Sequence, residues 1–159
     1  MTKVLGDYEG NMKLEQLVNI CWIVANEEAK RLGATRIEPI HFLLGVLKIV
    51  DPQFPNQLEE LNLETDEWAA WCKSAKHVRN YIDIPPERVT AKRRALRARL
   101  DAKRTAPPIT ADGFLHRSDA LRRAFADAVP FSEGDTLTLY VLVRVLFEQN
   151  LVSLDDIKG

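Results

Sequence analysis

The sequence predicts an all-α chain: a compact bundle of two pseudo-repeated helical motifs with an additional basic helical insertion. Three observations predict it. Residues 12–32 place apolar side chains at helical spacing. Residues 39–50 are apolar almost all round, so other helices must surround them. Residues 118–146 then repeat the same order of helix, corner and buried helix. The expected organisation is a single domain over 1–159. Within it, repeat one covers about 12–83, a basic insertion and linker about 84–113, and a degenerate repeat two about 114–159.

Residues 1–11, with Gly6 and Gly10, read as a loose arm. From Met12 to Leu32, the side chains of Leu14, Val18, Cys21, Ala25, Ala29 and Leu32 fall on one helical face. Glu27, Glu28, Lys30 and Arg31 form the wet face. Gly33 can end this helix in a left-handed conformation. Pro39 suits a first helical position, where its missing N–H would be unpaired anyway. His41, Leu43, Leu44 and Leu47 then belong to the central buried helix, which Pro52 and Pro55 bring to an end. A lone histidine at a helix start is read as structural, bonded to nearby backbone.

A short helix is expected over 57–61, and Thr65 is an expected N-cap, with Asp66 and Glu67 suiting the first turn. Trp68, Trp71, Cys72, Ala75, Val78 and Ile82 follow at helical spacing and are read as core rather than as a binding stripe. Ile84-Pro85-Pro86 breaks the chain. Arg88, Lys92, Arg93, Arg94, Arg97, Arg99, Lys103 and Arg104 then face a single acid, Asp101, a net +7 between flanks of −5 (residues 1–87) and −3 (residues 105–159). Val89, Leu96 and Leu100 make a narrow apolar stripe, and Ala91, Ala95, Ala98 and Ala102 a second, shallow face. Residues 105–114 read as a linker. Ser118 caps a helix bearing Leu121, Ala124, Phe125 and Ala128. Asp135 or Thr136 is expected to cap the last long helix, which carries Leu142 and Leu146, and the tail makes one more turn.

Composition narrows function. A net charge of −1 over 159 residues excludes a molecule that is cationic overall. No apolar run is long enough to span a membrane and no secretory leader opens the chain, so a cytoplasmic protein is expected. Cys21 and Cys72 are read as buried free thiols. No phosphate-loop, nucleophile-elbow or zinc motif is present, and His41, His77 and His116 lie in separate segments. No enzyme activity, metal or cofactor is expected.

Ala25, Ala29, Gly33, Ile37, Pro39, His41, Leu43, Leu44 and Leu47 resemble the repeat of Clp amino-terminal domains, the helical modules in front of Clp-family AAA+ unfoldases and disaggregases. The match is specific over about 40 residues, and the wording Ile-Glu-Pro-Ile-His is similar to the disaggregase branch. The family carries the repeat twice. Here Leu137, Leu142, Val145 and Leu146 stand in for Ile37, Leu43, Val46 and Leu47. Where the family often has the glutamates that read phosphorylated arginine, this chain has Ile40 and Leu139, which cannot bond a guanidinium. Tyr140 replaces the second histidine.

The resemblance implies a non-catalytic module that binds a substrate protein, peptide, adaptor or AAA+ motor, either stand-alone or as part of a larger unfoldase. The initial Met and the missing motor favour stand-alone. The alternative is nucleic-acid or anionic-partner binding through Arg88, Lys92, Arg93, Arg97 and Arg99. Against nucleic acid, no aromatic is interleaved with these cations for base stacking.

Overall fold

A computed structural model describes residues 8–9, 12–54, 65–132 and 134–157. These residues are mostly helical: α1 (Gln16–Arg31), α2 (Pro39–Ile49), α3 (Thr65–Ile82), α4 (Val89–Ala102), α5 (Asp119–Ala128), α6 (Leu139–Glu148) and a final turn, α7 (Leu154–Ile157). Three short strands, β1 (Tyr8–Glu9), β2 (Met12–Leu14) and β3 (Thr136–Leu137), form one sheet in that order. β1 pairs antiparallel with β2, and β2 pairs parallel with β3. The helix expected over 57–61 and the expected cap by the Thr65 side chain lie outside what is described.

The sheet corrects two expectations. Residues 8–9 are a strand and not a loose arm, and Met12–Leu14 extends instead of beginning the first helix. Leu14 is buried in either geometry, so its spacing to Val18 could not separate them. What decides is a partner from the far end of the chain. Lys13 N–H donates to the Asp135 carbonyl at 2.9 Å and Glu15 N–H to the Leu137 carbonyl at 3.0 Å. The same pairing places Thr136 in β3, so the last long helix is capped by Thr138. Its Oγ1 accepts the Val141 N–H at 3.3 Å.

The core is centred on α2 as its composition requires. Every α2 residue except Ile40 and Lys48 is buried, including Leu43, Leu44 and Leu47. Leu142 and Leu146 of α6 are equally buried. α1 lies closest to α2, and Gly45 permits that approach. A Cβ there would stand 2.6 Å from the Cys21 carbonyl oxygen and 2.9 Å from its sulfur. Full burial pushes the Cys21 thiol well up. Cys72, by contrast, is exposed, because its position falls just beyond the stripe of Trp71, Ala75, Val78 and Ile82 that faces inward.

Three helices stop on a residue with positive φ. Gly33 (φ 72°) follows α1, Asp83 (φ 57°) follows α3 and Asn150 (φ 57°) follows α6. In each case the next N–H reaches back to close the end: Ala34 to Ala29 at 2.9 Å, Ile84 to Arg79 at 3.2 Å and Leu151 to Leu146 at 3.0 Å. Gly33 is needed for a second reason, since a Cβ would meet the carbonyl oxygens of Ala106 and Pro107 at 2.7 Å.

α4 lies on the core by its apolar stripe. It packs directly on α2, with Val89 and Leu96 buried and Leu100 partly so. Its start is fastened by the Thr90 hydroxyl, which donates to the buried Asp51 carboxylate at the end of α2. The other oxygen of Asp51 accepts the Gln53 N–H at 2.9 Å. The basic helix is therefore a wall of the core.

Candidate functional site

Two surfaces carry side-chain chemistry beyond packing, and the sequence indicated only one of them. The first is α4. Seven of its eight cations divide by position along the helix, and Lys103, near the C-terminal end, has no side-chain partner among the described residues. Towards the C-terminal end, Arg97 Nε lies 3.3 Å from Glu28 Oε1, an ion contact without hydrogen-bond alignment. Arg99 donates to the Asp156 carbonyl of α7, and Arg104 donates to the Arg31 carbonyl at 3.3 Å. Asp101, the one acid of the segment, takes the Arg31 guanidinium at 2.5 Å. Towards the N-terminal end, the side chains of Arg88, Lys92, Arg93 and Arg94 make no ion pair or hydrogen bond with any described residue. Of the five basic residues expected to contact a partner, the fold thus engages Arg97 and Arg99 internally and leaves Arg88, Lys92 and Arg93 unpaired.

The second surface is the seam between α3 and α6. The His77 ring stacks on Tyr140 with centroids 3.6 Å apart and planes 10° from parallel. Tyr81 meets Tyr140 edge-on at 5.7 Å and Phe147 at 6.1 Å. Arg144 sits over the outer Tyr140 face at 5.7 Å and pairs with Glu148 at 3.5 Å. His77 and Arg144 are exposed while Tyr81, Tyr140 and Phe147 are half-buried, so the seam is an aromatic strip open to solvent. Partial burial, with Glu148 adding to it, pushes the Tyr81 hydroxyl pKa up. Sequence reasoning missed this strip. Its members come from helices about 60 residues apart, and the local signals, His77 with Tyr81 and Tyr140 with Arg144, each at i and i+4, do not show that the two helices meet.

His41 bonds to nearby backbone. Glu38 N–H donates to its Nδ1 at 2.9 Å, fixing the first turn of α2. An imidazole that accepts at Nδ1 must be neutral. Burial lowers its pKa to about 4, with Glu28 opposing the shift and Arg31 adding to it.

The expected linker is not free either. Ile109 N–H donates to the Lys30 carbonyl at 2.8 Å. Asn26, buried in α1, grips the backbone with both ends of its amide: Oδ1 accepts the Leu115 N–H at 2.8 Å and Nδ2 donates to the Gly113 carbonyl at 3.3 Å. Further along, Arg117 lies over both the Trp22 and Phe125 rings, at 4.5 and 4.7 Å, and pairs with Glu9 at 2.9 Å.

Among the described residues no group of three His, Cys, Asp or Glu is placed to hold a metal ion. None of the described helices is long and apolar enough to cross a membrane. No protein-family model, no curated protein and no solved structure matches the chain.

Proposed function

We propose that the chain is a non-catalytic protein- or peptide-binding module of the kind found ahead of Clp AAA+ motors. The observation that supports this most directly is a pair of related backbone joints. The segment leading into α2 pairs in parallel with the segment leading into α5: Ile37 N–H donates to the His116 carbonyl and Ser118 N–H to the Ile37 carbonyl, both at 2.9 Å. The segment leading into α6 pairs in the same sense with the one leading into α1, through Lys13, Glu15, Asp135 and Leu137. Exchanging α1 with α5 and α2 with α6 turns one joint into the other. That relation is what two copies of one helix pair would give.

Aligning the two joints corrects the register of the second copy by one residue. Leu137 matches Ile37, but Val141 rather than Tyr140 then falls opposite His41, and Tyr140 falls opposite Ile40. The second copy closes its helix start with the Thr138 hydroxyl where the first uses an imidazole. Tyr140, half-buried like Ile40, centres the aromatic strip between α3 and α6. That strip offers amphipathic rings to an incoming peptide, with Arg144 at its margin.

The test is fluorescence anisotropy with a permanently unfolded, labelled model protein. Saturable binding at micromolar concentration, weakened in Tyr140→Ala with His77→Ala, is the expected result. Absence of saturation up to the order of 100 μM would remove the reading.

A further inference from the structure

We propose that the N-terminal half of α4 is the docking surface for an acidic segment of a partner protein, a specification that rests on the protein-binding reading above. The carrying observation is the division of the basic helix. Arg97, Arg99 and Arg104 have internal partners, whereas Arg88, Lys92, Arg93 and Arg94 have none among the described residues.

The arrangement runs against the helix's own electrostatics. The first turn of α4 contains no acidic residue, and Arg88, at the N-cap, supplies no side-chain cap. The positive end of the helix dipole disfavours cations there, and Arg88 and Lys92 stand in like-charge i, i+4 register. The acids at this end are Asp51, bonded to Thr90, and Glu87, and neither forms an ion pair with the four cations, which leaves these for a partner. The cations are also held on a fixed platform, because Val89 and Leu96 are buried against the core and Thr90 is bonded to Asp51.

Two further features choose the occupant. The chain's own short turn, Leu154–Ile157, already seats against α4 through the Asp156 backbone carbonyl on Arg99, while the Asp156 carboxylate is held by Ser153. The helix thus takes a short segment once within the fold, and its unpaired cations are left to be matched by acids from outside. Exposed Ala91 and Ala98 keep the outer face low between the flanking cations, which lets a partner backbone come close. Nucleic acid fits less well. The span from Arg88 to Arg94 rises only about 9 Å. No Phe, Trp or Tyr lies between residues 82 and 113 to stack on bases, and the flanking sequence is net acidic on both sides.

The experiment titrates the intact protein against a fluorescein-labelled, helix-forming peptide with glutamates at i, i+4 spacing. A labelled 16-base-pair DNA duplex and the unfolded model protein serve as parallel probes. Lys92→Glu with Arg94→Glu should weaken peptide binding by at least about tenfold, and Arg122→Glu with Arg123→Glu on α5 should leave it within about twofold. Lys92→Gln with Arg94→Gln, which only removes the charges, should show an intermediate loss with an unchanged melting temperature. Equal peptide affinity in the α4 variants, no saturable peptide binding, or tighter binding of the duplex that the same substitutions abolish would each overturn the proposal. If the unfolded protein still binds in those cases, only the acidic-segment assignment falls. If it does not, the protein-binding reading falls with it.

Discussion

The Glu15 carboxylate, one residue ahead of α1, accepts the Leu139 N–H that opens α6 at 2.9 Å. Its second oxygen takes the Ser74 hydroxyl of α3 at 2.8 Å. One side chain thus ties the starts of two helices 124 residues apart to the middle of a third. Glu15→Ala should leave the Leu139 N–H without its partner and lower stability by about 1–3 kcal/mol. Urea denaturation of the variant checks this, and an unchanged midpoint would show that water replaces the carboxylate fully.

Gly45 is where α1 and α2 approach most closely. Gly45→Ala drives a methyl to within 2.6 Å of the Cys21 carbonyl oxygen, a backbone atom that cannot rotate away. The loss expected from overpacking, about 1–3 kcal/mol, outweighs the gain of roughly 1 kcal/mol that alanine gives in a helix interior. A thermal melt at or above the parent's temperature would disprove the close contact.

Removing the basic helix should not leave an intact core. Val89 and Leu96 are buried against α2. Leu96→Ala should cost about 2–5 kcal/mol. The deletion should abolish cooperative melting and expose surface that binds a hydrophobic dye.

His41 sets a pH dependence whose sign follows from its lowered pKa. Its folded value is about 4 against 6.5 for the free side chain, so the unfolded chain takes up the proton first as pH falls. The associated stability is present above pH 6.5 and is lost between there and about pH 4. Between pH 7 and pH 5 the loss should be roughly 1–2 kcal/mol. His41→Gln keeps an acceptor near the Glu38 N–H and should flatten the profile in this window. An identical profile in the variant would assign the effect to other groups.

Much of the helical layout was legible because it is local. The all-round apolar character of residues 39–50 demanded burial, Gly33 and Pro39 marked one corner, and Ser118 stood where it now accepts the Leu121 N–H at 3.1 Å. The wheel of residues 88–104 correctly placed Val89 and Leu96 inside, although not what they pack against. Cys72 was misjudged because a stripe defined by spacing has an uncertain edge, and only the curvature of the neighbouring surface fixes where it ends.

What the sequence alone determined was the helical class, the identity of the central helix and the concentration of positive charge in one segment, since propensity, periodicity and charge act over a few residues. Tertiary structure decided the rest. Residues 12–14 became a strand because a backbone partner arrived from residues 135–137. Of the eight cations, Arg97, Arg99 and Arg104 gained partners because Glu28, Asp156 and Arg31, far away in the chain, reach that end of α4. His77, Tyr81, Tyr140 and Phe147 became a strip because α3 and α6 lie side by side. Each outcome depends on contacts between residues distant in sequence, and no local pattern encodes them.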